Sequence, residues 1–354
     1  MSDSQSDRPF DPDPDGRGAA APPRIGFIGA GRHSSANLYP ALELTGVSPV
    51  AVADRNHANV LALGVRAGSA RVYRSHSEMI ERENLDGVVI SVDPAAQPQI
   101  AADCLAAGIG VFVEKPFGMT ADQAHELSTL ASASDRPVVV GFMKRFAPAF
   151  VRVGSIVRDE ELGAPRSYGI TFGFSPWKPD LSIEEFIFQA VIHHIDLCRH
   201  LFGPVEEVTG FSATSASGLH LVGAFRHRSG VVGTITFVSA SAWAREAEEL
   251  LVTCDEGYLR VVDLASLTLV REEPASPEPA WSGLTQQAAV YTSSNTPASG
   301  ATRDLYLRGY GGEMQHFIDA LRSGADARSA AAENVETMRL CERLLAAVTS
   351  DTEG

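Results

Sequence analysis

The chain has 354 residues, 44% hydrophobic and 21% charged, enough for about two domains with sizeable cores, which excludes fibrous, mini-domain and wholly disordered readings. Its 29 basic and 44 acidic side chains give a net charge of -15 with no basic concentration, so phosphate backbones are repelled and nucleic acid is not an expected partner. No segment reaches the apolar length of a membrane span, and Cys104, Cys198, Cys254 and Cys341 stand far apart without a CxxC pair; reduced thiols in a cytoplasmic protein, with no membrane partner and no metal, are the simplest reading.

Residues 1–23 hold five Asp and five Pro, lack the basic and apolar regions of a secretory signal, and are expected to form a disordered acidic tail. From Arg24 onward short apolar runs at 24–29, 48–54, 85–92, 110–116 and 136–143 alternate with helical stretches at 34–44, 56–67, 75–83, 95–107 and 120–134. That alternation predicts an α/β domain over 24–142 with a doubly wound parallel sheet, a Rossmann domain. After it come a helix from Pro148, a strand at 167–174 and a helix at 182–201 that opens on a Ser182/Glu185 capping box and ends at Gly203-Pro204. Strand candidates at 205–211, 219–227, 231–238, 247–254, 257–263 and 266–271 then predict a second, α+β domain over 143–350 with a largely antiparallel open sheet. Residues 272–301, rich in Pro, Ser, Thr and Ala, read as a long loop, and helical periodicity returns from Leu307 to Leu321 and over 331–348.

The first strand runs into Gly29-Ala30-Gly31-Arg32-His33-Ser34. Here Gly29 permits a tight turn, Gly31 lets backbone approach a pyrophosphate, and small Ser34 allows close helix packing, with the helix start facing the phosphates. A bare Gly-rich turn would leave the same trace, but Asp54 stands 25 residues after Gly29, where a carboxylate can accept both ribose hydroxyls of NAD. Asp54 would equally suit a helix N-cap. Arg55 could hold the extra phosphate of NADP, yet the carboxylate beside it repels that group, so NAD is the expected cofactor with NADP as the alternative.

At Glu114-Lys115-Pro116 the sequence begins to resemble the Gfo/Idh/MocA family of sugar and cyclitol oxidoreductases. The segments Gly141 to Pro148 (GFMKRFAP), His193-His194-Ile195-Asp196-Leu197 and Gly312 to Phe317 (GEMQHF) carry the resemblance to the end of the chain. It implies a dinucleotide-binding domain followed by a domain whose open sheet makes homodimer or homotetramer contacts. It also implies that His193 accepts or donates a proton beside the nicotinamide, and that Arg145 lies near it. Lys115 can be read without the family. Carboxyl ends of strands in such sheets are where ligands bind, and an ammonium there can stabilise a developing alkoxide, whereas a salt bridge to Glu114 is the bland alternative.

The sequence departs from the family pattern at Gln189 and Val191, where Asp and Gly usually stand, and at Gln97, where His is frequent. Gln189 is expected to orient His193 from one helical turn away but supplies no charge to raise its pKa. Three accounts of the proton follow: Asp196 replaces the missing carboxylate, Lys115 is the main acid/base, or catalysis is lost. The bare His193 favours donation over abstraction and so reduction of a ketone or imine. His193, Asp196 and His200 also fall on one face at metal-ligand spacing, without the flanking Glu that a zinc helix carries.

The expected cofactor set is Gly29, Gly31, Arg32, His33, Asp54, Arg55, Ser91, Gln97, Glu114, Lys115 and Arg145. The expected catalytic set is Lys115, His193 and Gln189. Trp177 and Tyr310, with Lys178 and Tyr306, are candidates to contact a small sugar-like or polyol substrate. Together these residues predict an NAD(P)-dependent oxidoreductase acting on a ring hydroxyl, ketone or imine of a sugar, amino sugar or cyclitol. The alternatives are an oxidation-elimination enzyme that retains its cofactor and a non-catalytic nucleotide-binding protein.

Overall fold

The computed structural model describes residues 21–66, 68, 70–271, 288–293, 303–323 and 330–349. Most of the expected tail and of the expected loop at 272–301 lies outside them.

Six parallel strands, β1 (Ile25–Ile28), β2 (Ala51–Ala53), β3 (Arg71–Tyr73), β4 (Gly87–Ile90), β5 (Gly110–Val113) and β6 (Val138–Val140), form one sheet in the order β3-β2-β1-β4-β5-β6. All but β3 are buried along their whole length, as continuous apolar runs between two helical layers must be. The edge strand β3 was not among the predicted elements: it has three residues, two of them exposed, and no apolar run to announce it.

The chain is helical from Arg32, but Ser34–Leu38 is π-helical before α1 (Tyr39–Glu43). Pro40 lacks an N–H and its ring crowds the carbonyl four residues back, so a wider turn ahead of it relieves the conflict. The other crossovers are α2 (His57–Arg66), α3 (His76–Arg82), α4 (Gln97–Ala106) and α5 (Ala121–Ser132). Ser75 and Thr120 cap α3 and α5 by accepting from the amides of Glu78 and Gln123.

Beyond a 3-10 turn at Met143–Phe146 and α6 (Pro148–Arg158), the second sheet begins with β7 (Pro165–Phe174). Next come α7 (Ile183–Glu185), a π-helical turn Phe186–Val191 and α8 (Ile192–Phe202). The strands β8 (Val205–Ser215), β9 (Gly218–His227), β10 (Val232–Ala240), β11 (Ala247–Cys254), β12 (Gly257–Val262), β13 (Ser266–Arg271) and β14 (Ala288–Thr292) complete the sheet, in the order β14-β13-β12-β11-β7-β10-β9-β8. Only the β7–β10 pair is parallel. The strand β14 corrects the reading of 272–301 as loop throughout: Ala288-Ala289-Val290-Tyr291-Thr292 has strand-forming residues and pairs with β13.

The register separates the two faces of this sheet. Tyr168, Ile170, Phe172, Leu221, Ile235, Phe237, Leu250, Val252, Leu259 and Leu267 point inward and are buried, whereas Phe211, Val222, Val232, Leu251, Tyr258 and Val290 share the outer face and are exposed. Two C-terminal helices tie the layers together. After α9 (Arg303–Leu307), α10 (Tyr310–Ser323) returns to the first sheet, where Phe317 packs on Phe112 with ring centroids 6.0 Å apart. The last helix, α11 (Ala331–Thr349), reaches both domains: Asn334 donates to the Phe117 carbonyl at 2.6 Å, and Ser212 of β8 donates to that of Val348 at 2.9 Å.

Candidate active site

The strand order reverses between β1 and β4, and a cleft of about 690 Å³ opens at their carboxyl ends. Gly29 turns there with φ +94°, and a Cβ on it would lie 2.0 Å from the Ser91 carbonyl oxygen, so no other residue fits. Gly31 lines the same cleft, and a Cβ on it would meet nothing within 4 Å, so it would fill space the cleft keeps open. Asp54 accepts from the backbone amides of Ala30 and Asn56, both at 2.7 Å, and faces the cleft with Arg32, Arg55 and Arg74. It therefore braces the Gly-rich turn instead of capping α2. The open backbone approach, the helix start at Arg32 and the carboxylate beyond β2 fit a dinucleotide.

His33, Ser91 and Val92 line both this cleft and a second cavity of about 420 Å³ between the domains, so the two spaces adjoin. Lys115, Gln189, His193, Trp177, Tyr310 and Glu114 all line the second cavity. Lys115 leaves β5 ahead of a cis bond to Pro116, and its Nζ donates to the backbone carbonyl of Gln189 at 2.6 Å. Glu114 makes no direct contact with that ammonium among the described residues. Its carboxylate accepts from the Lys115 backbone amide at 3.2 Å and pairs with His33 at 3.0 Å, which removes the expected alternative of a Lys115–Glu114 salt bridge. Burial pushes the Lys115 ammonium below its usual range, Glu114 opposes this and Arg308 adds to it.

His193 stands at the start of α8 with its ring edge on Phe142, and its Nδ1 is buried without a hydrogen-bond partner among the described residues. Burial, then Lys115, Lys144, His194 and Arg308, push its pKa well below the ordinary imidazole value. Of the two roles expected of His193, proton acceptor and proton donor, the lowered pKa favours a neutral resting ring that is ready to accept. Gln189 does not orient it: no hydrogen bond of its side chain is found among the described residues, and its carbonyl is what Lys115 meets. The π-helical turn breaks the α-helical phase that would stack residue 189 beneath 193.

Five further expectations are corrected, for Arg145, Asp196, Gln97, Lys178 and Tyr306. Arg145 is buried away from both cavities, its guanidinium clamped two-point by Asp196 at 2.6 and 2.7 Å, and the same clamp removes Asp196 as partner for His193. In a 3-10 turn successive side chains point about 120° apart, so it is Lys144, not Arg145, that reaches the cavity. Gln97 is fully buried, donates to the Pro116 carbonyl at 3.3 Å and supports the Lys115 loop from beneath. Lys178 is held by Glu185 at 2.7 Å outside the cavity, and Tyr306 does not line it. The spacing of His193, Asp196 and His200 builds no ligand set, since Asp196 is occupied by Arg145 and Thr337 and His200 is exposed.

Sequence reasoning missed a buried group behind the cavity. Lys144 and His194 both meet Oε2 of Glu248 on β11, His194 at 2.8 Å, and Lys144 also lies over the Phe172 ring. Burial alone would raise the Glu248 carboxyl, but Lys144 and His194 hold it down to about 2, while burial and Lys144 lower His194 to about 4. Nothing in the local sequence pairs residue 144 with 248; the β7–β11 register sets Glu248 opposite Phe172, over whose ring Lys144 lies. Arg308 and Glu246 also line the cavity and were likewise missed.

A family model described as an oxidoreductase family with an NAD-binding Rossmann fold matches residues 23–142, and one described as the GFO/IDH/MocA C-terminal domain matches 150–260. The chain is 27% identical to D-apiose dehydrogenase of Paraburkholderia graminis over 337 residues, covering 89% of this chain and 85% of that protein. It is 25% identical to an inositol 2-dehydrogenase of Klebsiella pneumoniae, covering 85% and 86%. Among solved structures, a dehydrogenase from Chromobacterium violaceum shares the fold with a TM-score of 0.82 at 20% identity, covering 93% and 96%.

Proposed function

This chain belongs to the Gfo/Idh/MocA family of NAD-binding oxidoreductases, and from that premise we propose that it interconverts a ring hydroxyl and a ketone of a sugar or cyclitol with Lys115 and His193 handling the proton. The observation that carries the reading is the convergence of Lys115 and His193 on a cavity that continues the dinucleotide cleft. The residues that would hold NAD are Gly29, Gly31, Arg32, Asp54, Arg55 and Ser91, and the bound cofactor supplies the hydride acceptor or donor. In the oxidation direction, neutral His193 accepts the hydroxyl proton at Nε2, since its Nδ1 is buried. Lys115 donates from Nζ to the oxygen on which negative charge develops. Alcohol and oxidised cofactor thus give ketone, reduced cofactor and one proton, the last held first by His193.

The test is NADH formation at 340 nm from a panel of cyclic polyols and sugars, and absence of any absorbance change in either direction contradicts the reading. The pH profile has an expected shape. Because His193 is lowered, no limb appears near pH 6.5; because Lys115 acts as ammonium with a lowered pKa, activity falls on the alkaline side before pH 10.5 is reached. A rise centred near 6.5 would assign the proton to a different group.

Asp54 supports NAD over NADP. NADH is expected to bind more tightly than NADPH in a fluorescence titration, and Asp54→Ala to narrow the gap by roughly 10-fold or more as a charge-assisted acceptor is lost. Equal affinities in the unaltered protein would remove Asp54 from that role.

A homodimer or homotetramer is supported by the outer face of the second sheet, where Phe211, Val222 and Val232 stand exposed on the adjacent strands β8, β9 and β10, with Leu251 on β11 and Val290 on β14 further across the same face. Four buried, unbridged thiols support the cytoplasm as the compartment. Among the described residues no helix is long and apolar enough to cross a membrane.

A further inference from the structure

Several arginines fasten this fold through short, two-point contacts with a carboxylate. Arg145 meets Asp196 at 2.6 and 2.7 Å, Arg166 meets Asp255 at 2.7 Å twice, and Arg260 meets Glu249 at 2.8 Å twice. Arg308 is different. Its side chain is only 29% exposed, yet its nearest carboxylates, Glu246 and Asp304, are 3.6 and 3.8 Å away, and no hydrogen bond reaches its guanidinium among the described residues. A half-buried guanidinium carries five donors that desolvation makes costly to leave unmade. Its unmet donors belong to a residue that lines the candidate cavity.

The backbone holds Arg308 there. It ends the α9 segment, with its amide on the Asp304 carbonyl at 2.9 Å. Gly309 follows with φ +97° and approaches the 3-10 turn so closely that a Cβ would sit 2.0 Å from the Met143 carbonyl oxygen. The guanidinium then lies over the Tyr310 ring, 5.5 Å from its centroid, and that ring meets His33 edge-on at 5.8 Å. Arg308 is thus fixed on the cavity wall beside the point where the dinucleotide cleft enters.

The charges around it leave room for an anion. Lys144 is neutralised by Glu248, Glu114 is engaged with His33, and Glu246 and Asp304 reach Arg308 only as loose ion pairs at 3.6 and 3.8 Å, whereas Lys115 Nζ makes its hydrogen bond among the described residues to the neutral carbonyl of Gln189. The lining from β7, the segment after it and the π-helical turn, Phe172, Phe174, Trp177, Gln189 and Ala190, is uncharged. Glu246, with its side chain 45% exposed, is too far from Arg308 for a hydrogen bond.

We infer that Arg308 is a specificity residue that binds a carboxylate two-point, and that the substrate is a polyhydroxylated acid of the aldonate or uronate class. The planar fork of a guanidinium matches a carboxylate, and a carboxylate placed there leaves a ring hydroxyl of the same molecule to reach Lys115 and His193. The inference deepens the dehydrogenase reading of the same cavity and rests on it.

The test compares kcat/KM for hexuronates and hexonates with that for the matched neutral hexoses and myo-inositol, with and without Arg308→Gln. In parallel, binding of each compound to the protein–NADH complex is followed by NADH fluorescence, which needs no turnover. The acids are expected to be preferred, and Arg308→Gln to cost roughly 10- to 100-fold on the acids while NADH affinity holds. Arg308→Lys, which retains the charge without the fork, should recover only part of the loss, and it checks that any defect is not misfolding. Preference for neutral sugars or for phosphorylated ones overturns the inference and leaves the dehydrogenase reading standing. Acids that bind through Arg308 but never change NADH absorbance sink the dehydrogenase reading and leave the anion site. Acids that bind no better than neutral compounds overturn the inference whether or not anything turns over.

Discussion

Lys115→Met is expected to lower kcat by about 10³-fold while NADH affinity stays within about twofold. Methionine keeps most of the side chain's length and loses only the ammonium. That ammonium sits in the candidate cavity rather than the dinucleotide cleft, and its one direct partner among the described residues is the Gln189 carbonyl at 2.6 Å. Loss of the charge therefore removes a donor to the reacting oxygen without removing a wall of the cofactor site. Stopped-flow measurement of NADH formation, paired with a fluorescence titration, separates the two effects. If affinity falls and kcat holds, Lys115 is a cofactor ligand and not a catalytic residue.

Glu248→Ala is expected to destabilise the protein by about 3–5 kcal/mol, because it strands the Lys144 ammonium in a buried site. Replacing both partners, Lys144→Met with Glu248→Leu, should restore most of the loss, since two charges leave together. Thermal and urea unfolding of the single and double variants measure this, and a single variant within about 1 kcal/mol of the parent would contradict it. The acid behaviour follows by sign. Glu248 is depressed from 4.5 to about 2, so its contribution is fully present above pH 4.5 and is lost as pH falls toward 2. His194 is also depressed, from 6.5 to about 4, so the unfolded chain takes up a proton there first and stability falls from pH 6.5 downward. The double variant should abolish the lower window and keep the upper one, which burial of His194 sustains after both Lys144 and Glu248 are gone.

The parts of the site that were legible in the sequence are those whose chemistry is local. Gly29 needs positive φ and an absent Cβ, Asp54 ends a strand at the expected distance, and Lys115 ends another, so each announces itself within a few residues. The capping box at Ser182 and Glu185 formed as read, with both reciprocal bonds at 3.1 Å. The failures concern phase and partners at long range. Lys144 and Arg145 are neighbours of like charge, and only the 3-10 geometry decides which one reaches the cavity. Gln97 enters the expected cofactor set because the resemblance puts a His at that position, yet its side chain donates to the Pro116 carbonyl. Glu248 and Arg308 lie far along the chain from everything they serve, and no periodicity within their own segments singles them out.

The position of β7 has a bearing on how the second domain assembles. Two antiparallel meanders, β8-β9-β10 and β11-β12-β13, are each closed by short turns and can form from near neighbours in the chain. Neither meander pairs with the other; both pair with β7, which is made before either of them. Joining them requires closing chain segments of several tens of residues around one central strand, and non-local closure of this kind slows folding. Until β7 is sandwiched, β10 and β11 each present an unpaired edge, and His194 and Glu248 have not yet been brought together. A nascent chain therefore passes through a stage in which its secondary structure is largely in place and its most exposed liabilities are two open strands.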